Sequence, residues 1–135
     1  MNEPSVWETA IPLRPQDIDS LGHLTAVAYV PLFEKARWEW LSYVSGDLSP
    51  SYVLAYQEIH YEREVLLDDS PIRIAVHLDR IGRQSLTLSE TLATAAGEIR
   101  ARSGARLVSW DQDARGPKPL TAQEQARFQP RLAQR

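Results

Sequence analysis

Hydrophobic positions along this 135-residue chain follow two different periods. From Tyr29 they recur at Leu32, Phe33, Ala36, Trp40, Tyr43 and Val44, spacings that line one face of a helix with 3.6 residues per turn. Pro31 falls in the first turn of that helix, where its missing N–H costs nothing, and Gly46 supplies a left-handed stop. Elsewhere the period is two. Val6 to Arg14 is β-rich, and Pro12 predicts that this strand lies at an edge or ends there. Ile72, Ile74, Val76 and Leu78 alternate with Arg73, Ala75, His77 and Asp79, and Leu86, Leu88 and Leu92 continue the same pattern beyond a turn at Ile81–Gly82–Arg83. Strands are expected over residues 52–63, 72–80, 84–94 and 98–110, the last bulged at Gly104. Thr121 and Glu124 stand at capping-box spacing before a short final helix.

The order is strand, one long helix, then four strands joined by short turns. Short turns make antiparallel neighbours. One helix cannot cover both faces of five strands, so the α+β fold expected is a five-stranded antiparallel sheet wrapped around one long central helix. Its other side or its edge then meets a second subunit. One domain over residues 1–135 suits the length.

Composition narrows the function classes. There are 15 Lys and Arg against 18 Asp and Glu, a net charge of −3, which leaves no basic excess to engage nucleic-acid phosphates. Cysteine is absent, so disulfides, thiolate metal sites and Cys nucleophiles are excluded. The N-terminus lacks a basic start and an apolar core, and no run approaches the roughly 18 apolar residues of a membrane span. A cytoplasmic protein is the expectation.

One stretch is chemically dense. Asp17, Asp19, Gly22 and His23 fall within seven residues and feed directly into the apolar helix. Backbone N–H groups of a first helical turn are unpaired and carry the positive end of the helix dipole, so an acidic loop there has both a reactive carboxylate and carbonyl-polarising donors within reach. Asp17 reads as a turn residue, and two carboxylates are too few oxygens for a hard cation, so no metal is expected. Glu34 and Arg37, at i and i+3, read as an ordinary helix-face ion pair. Tyr29 and Trp40 read as core, and His60 and His77 as surface residues. There is no G-x-S-x-G elbow and no phosphate-binding Gly loop.

The run D-I-D-S-L-G-H followed by Y-V-P-L-F-E-K-A-R-W-E-W-L, with the strand order, resembles the hotdog-fold acyl-CoA thioesterases, in particular the 4-hydroxybenzoyl-CoA thioesterase-like class. The segment D-R-I-G-R-Q-S-L-T-L is similar to that family's central hairpin. The likeness runs from about Val6 to Leu120. It implies hydrolysis of an acyl-CoA or acyl-carrier thioester to a free acid and the thiol, with coenzyme A as part of the substrate and no other cofactor. It implies that Asp19 is the catalytic carboxylate, as nucleophile or as general base, with His23 beside it. Thr25 and the Ala26 N–H stand where the thioester carbonyl is polarised, and Glu34 is the alternative carboxylate. Arg83, Arg80 and Ser85 then line the pantetheine and nucleotide path, with Arg100, Arg102 and Arg106 as helpers. A homodimer or homotetramer, with the site between chains, is implied as well. The sequence departs from the family where two Asn are usual: it has Thr25 and Ala26. Two other readings stand beside thioester hydrolysis. One is a non-catalytic acyl-CoA-binding protein. The other is an acyl-thioester hydratase or dehydratase, although the D-x-N-P-x-H spacing of such proteins is missing.

Overall fold

The computed structural model describes residues 7–133. Strand β1 runs Trp7–Ile11 and stops at Pro12; Val6, placed in this strand by its composition, lies outside the described residues. Helix α1 (Ala26–Ser45) follows, then β2 (Tyr52–Tyr61), β3 (Ile72–Ile81), β4 (Ser85–Ala93) and β5 (Ile99–Asp111). A two-residue strand, β6 (Gly116–Pro117), and helix α2 (Ala122–Phe128) follow, with a 3-10 turn over Gln129–Arg131 after them. The sheet order is β1-β3-β4-β5-β2, antiparallel throughout, with β6 added beside β5. This is the α+β hotdog arrangement, a curled sheet around one long helix.

Three details differ from the sequence reading. First, β2 does not pair with β3, its neighbour in sequence. It pairs with β5, and the chain over residues 62–71 carries it across to β3. Both β1 and β2 therefore lie at edges. Second, Gly104 is not bulged: it stands in register with Glu58 on one side and Ser89 on the other. The register slips instead between Leu54 and Tyr56, Leu78 and Arg80, and Leu92 and Ala93. Third, α1 starts earlier than the apolar stripe, so Pro31 lies inside the helix rather than in its first turn. The carbonyl that loses its partner is that of Val27, a residue 77% exposed, so it is not stranded in the core.

The apolar face of α1 builds the core. Leu32, Phe33, Ala36, Trp40, Leu41 and Val44 are buried in one cluster with Ile72, Ile74, Val76 and Leu78 of β3 and Leu86, Leu88 and Leu92 of β4. Each such side chain contributes about 1.5–3 kcal/mol on full burial. Phe128 of α2 closes one end, 5.7 Å from the Trp40 ring and edge-on to Tyr52 at 6.0 Å. The capping box of α2 forms in both directions: Glu124 N–H donates to Thr121 Oγ1, and Thr121 N–H donates to Glu124 Oε1. Gly46 ends α1 at φ +60°, and its N–H donates to the Ser42 carbonyl. Tyr43 leaves the stripe: it is 55% exposed, beside the Trp7 ring and under the Arg131 guanidinium.

Arg37 does not pair with Glu34. It is 2% exposed and makes a bidentate ion pair with Glu90 of β4, at 2.8 and 2.9 Å. Ser103 Oγ donates to Glu90 Oε1, and Gln57 Nε2 donates to Ser103 Oγ. Glu90 occupies a core-facing position of its strand, and the buried guanidinium and hydroxyl are what make that tolerable.

Candidate active site

The loop between β1 and α1 is a miniature hairpin. Ile18 and Leu24 bridge, Asp19 N–H donates to the His23 carbonyl at 2.8 Å, and Gly22 N–H donates to the Asp19 carbonyl at 3.0 Å. Gly22 sits at φ +86°, a conformation that closes such a turn cheaply only without a Cβ. Asp19 Oδ1 accepts from Leu21 N–H at 2.9 Å and His23 N–H at 3.0 Å. The spacing from Asp19 through Gly22 to His23 is thus the recipe of an Asx-type turn. Those N–H groups, His23 first, hold the Asp19 carboxyl below the usual carboxylate range. The side chain is solvent-exposed, and the turn engages only one of its two oxygens. Asp17 is committed elsewhere: Arg14 grips it in a two-pronged pair at 2.9 Å and lowers its pKa as well.

Two backbone bonds seat the helix start. Leu24 N–H donates to the Val65 carbonyl at 2.7 Å, and Thr25 N–H donates to the Asp17 carbonyl at 2.8 Å. Thr25 is the N-cap residue, but its hydroxyl does not cap the helix. The N–H groups of Ala26 and Val27 therefore open the helix with no intrahelical acceptor, at the positive end of a 20-residue dipole.

Cavities lie on both sides of this helix end. One, of about 330 Å³, is lined by His23, Ala26, Tyr29, Tyr61 and Glu64 among others. His23 Nε2 lies 2.7 Å from Glu64 Oε1, and the Tyr29 and Tyr61 rings meet edge-on at 4.8 Å. Tyr29 is a core residue, as its spacing indicates, and also walls this cavity. The other cavity, of about 660 Å³, is mainly apolar, with Ile11, Val27, Ala28, Pro31 and Leu32 in its wall and Arg14 and Lys35 present as cations. A third, of about 480 Å³, brings Arg80, Arg83, Ser85 and Thr87 of the β3–β4 hairpin together with Arg106 of β5.

The sequence candidates are thus distributed over three places. His23 and Ala26 share a cavity, and Thr25 joins them along the chain. Asp19 lies in the adjoining turn but is not in that cavity's wall. Arg80, Arg83 and Ser85 form a separate basic pocket. Glu34 is exposed on the helix and lines none of the three cavities. Arg100 turns inward to Asp69, Glu98 and the Glu64 carbonyl, and Arg102 pairs with Glu62. His60 is exposed, and His77 is half-buried on β3. Sequence reasoning missed Glu64. It falls just beyond the strand expected over residues 52–63, and the Leu24–Val65 bond with the His23–Leu66 bridge brings it to His23.

Solved structures share this architecture. A predicted thioesterase from Bacillus stearothermophilus superposes with a TM-score of 0.82 at 23% identity, covering 96% of this chain and 98% of that one. A thioesterase from Thermus thermophilus, complexed with coenzyme A and Zn, gives 0.80 at 26% identity, covering 90% and 95%. A DHNA-CoA thioesterase from Staphylococcus aureus gives 0.70 at 16% identity, covering 86% and 80%. No curated protein matches the sequence. The family model of the thioesterase-like superfamily matches residues 13–135, nearly all of what has been described here, from the turn before Asp19 through both helices, and the chain belongs to that superfamily.

Proposed function

We propose that this protein is an acyl-CoA thioesterase that hydrolyses a thioester to a free acid and CoA. The observation that carries the reading is the open N-terminus of α1, with Ala26 N–H at a cavity and an ionised carboxylate in the adjoining turn, in a chain of the thioesterase-like superfamily. The thioester carbonyl oxygen accepts from Ala26 N–H, which strengthens its hold as negative charge develops there. The Asp19 oxygen left out of the turn attacks the carbonyl carbon, or takes a proton from the water that does. In the first route Asp19 forms the new C–O bond as the C–S bond breaks, and water then hydrolyses the resulting anhydride to the free acid and restores Asp19. In the second, water itself forms the C–O bond. In both, the proton that water gives up ends on the departing CoA thiolate. Arg80, Arg83 and Arg106 supply cations for the CoA phosphates. A CoA-complexed relative supports that assignment of the ligand.

A homodimer belongs to the same proposal. Among the described residues, edge strand β2 pairs only with β5 and exposes Val53, Leu54, Tyr56 and Tyr61, and its open edge calls for a partner strand. Tyr61 links that edge to the cavity at His23, so a second copy there would wall the site. Light scattering should give a dimer or its multiple, and a monomer would refute this part.

The decisive assay is thiol release from short, long and aromatic acyl-CoAs by wild type and Asp19→Ala. A positioned acid–base group is worth about 10²–10⁴-fold, and that loss is expected. The pH profile follows from the same turn. Asp19 acts ionised and its carboxyl is held low, so Asp19 itself stays competent down through mildly acidic pH. The Asp19 contribution is lost as pH drops through a pKa below the ordinary value of about 3.9. The binding-protein reading has one observation in its favour, the engagement of Asp19 Oδ1 in the turn. Acyl-CoA binding by calorimetry with no thiol release from a folded protein would establish it.

A further inference from the structure

We infer that Glu64 is a positioning residue of this site: it holds His23 Nε2 and so fixes which ring nitrogen faces the reaction. This rests on the thioesterase reading for its catalytic meaning. The geometry behind it is a 2.7 Å contact between His23 Nε2 and Glu64 Oε1 at the wall of the cavity that also holds Ala26.

The segment carrying Glu64 is anchored on both sides. Glu62 and Arg63 N–H both donate to the Arg100 carbonyl, at 2.9 and 3.0 Å, and Arg100 Nη1 donates to the Glu64 carbonyl at 2.5 Å. Val65 is fully buried, its carbonyl accepts from Leu24 N–H, and Leu66 bridges to His23. The His23 main chain is anchored likewise, because its backbone N–H donates to Asp19 Oδ1. Two tied backbones therefore present the acid and the ring to each other. Both side chains are about half exposed, at 41% and 53%, so the pair contributes little to folding. An anchored contact that does little for stability, next to open helix N–H groups, is placed for orientation.

The chemical consequence is a tautomer. A carboxylate accepts only, so neutral His23 keeps its proton on Nε2 and leaves Nδ1 as the basic lone pair. Arg63, Glu62, Tyr29 and Tyr61 also line this cavity.

The test compares Glu64→Ala with Glu64→Gln, whose amide oxygen still accepts from Nε2–H. Thiol release by Glu64→Ala should lose roughly 10- to 100-fold in kcat with KM little changed, the scale of a misoriented catalytic group. Glu64→Gln should stay within a few-fold of wild type. Ring ¹⁵N resonances at about pH 8, where an ordinary imidazole is neutral, should show the Nε2–H tautomer in wild type and Glu64→Gln and a mixture in Glu64→Ala. An Nδ1–H ring in wild type overturns the inference. So does a Glu64→Ala enzyme of unchanged kcat, one altered in KM alone, or a Glu64→Gln enzyme as impaired as Glu64→Ala. Failure of wild type on every acyl-CoA would instead sink the thioesterase reading, while the ¹⁵N spectra would still decide the Glu64–His23 coupling.

Discussion

Two carboxylates in this molecule each hold a nitrogen-bearing side chain, to opposite ends. Glu90 and Arg37 meet in the interior, almost wholly shielded from water, with both guanidinium prongs and a serine hydroxyl on the carboxylate. Glu64 and His23 meet at the rim of a cavity, half in solvent, with one contact between them. The first pair has every partner it needs and no access to a ligand. The second borders a cavity that also reaches the open helix end. Burial turns an ion pair into a fastener of helix to sheet, whereas the exposed pair costs the fold little and, in the reading proposed above, orients a reacting group.

Substitutions can break or sharpen that contrast. The largest effect expected is kinetic: Asp19→Ala, at 10²–10⁴-fold in turnover or about 2.7–5.5 kcal/mol in barrier, with the denaturation midpoint nearly unmoved. If Asp19→Ala unfolds the protein instead, the loop is structural and the contrast fails. Next comes Glu90→Ala, which strands a buried guanidinium and should lower unfolding free energy by about 3–5 kcal/mol in denaturant titration. Replacing both partners with apolar residues, Arg37→Met with Glu90→Leu, should recover most of that. Arg83→Ala follows, in the basic pocket: a lost charge-assisted contact should raise KM for an acyl-CoA about tenfold. A substrate cut back to the acyl-pantetheine, which lacks the nucleotide phosphates, should be blind to the change. The smallest is Thr121→Ala, which removes one side of the α2 capping box and should cost about 0.5–2 kcal/mol in stability with turnover unchanged.

The elements were largely legible before the structure. Alternation at Ile72, Ile74, Val76 and Leu78 marked a strand with one core face, and all four are fully buried. The i, i+3, i+4, i+7 stripe marked α1, and Gly46 marked its end. The failures share a cause. Tyr43 obeys the helical period but lies at the far end of α1, beside Trp7 and Arg131 rather than under the sheet. Pro31 looked like a first-turn residue because the apolar stripe starts three residues after the helix does. Arg37 looked paired with Glu34 because local spacing is all a sequence displays. Its partner stands 53 residues away.

What the sequence determined by itself is the local chemistry. The Asp19–Gly22–His23 spacing writes its own turn, since the Asx hydrogen bonds and the positive φ need no partner from elsewhere. The alternating strands and the apolar stripe of α1 are likewise properties of a few consecutive residues. Tertiary structure alone decided which distant groups meet. Pairing of β2 with β5 rather than β3 sends residues 62–71 across the sheet, and the Leu24–Val65 bond then brings Glu64 to His23. Strand order is set by how a curled sheet can bury one helix, a property of the whole chain that no window of sequence contains.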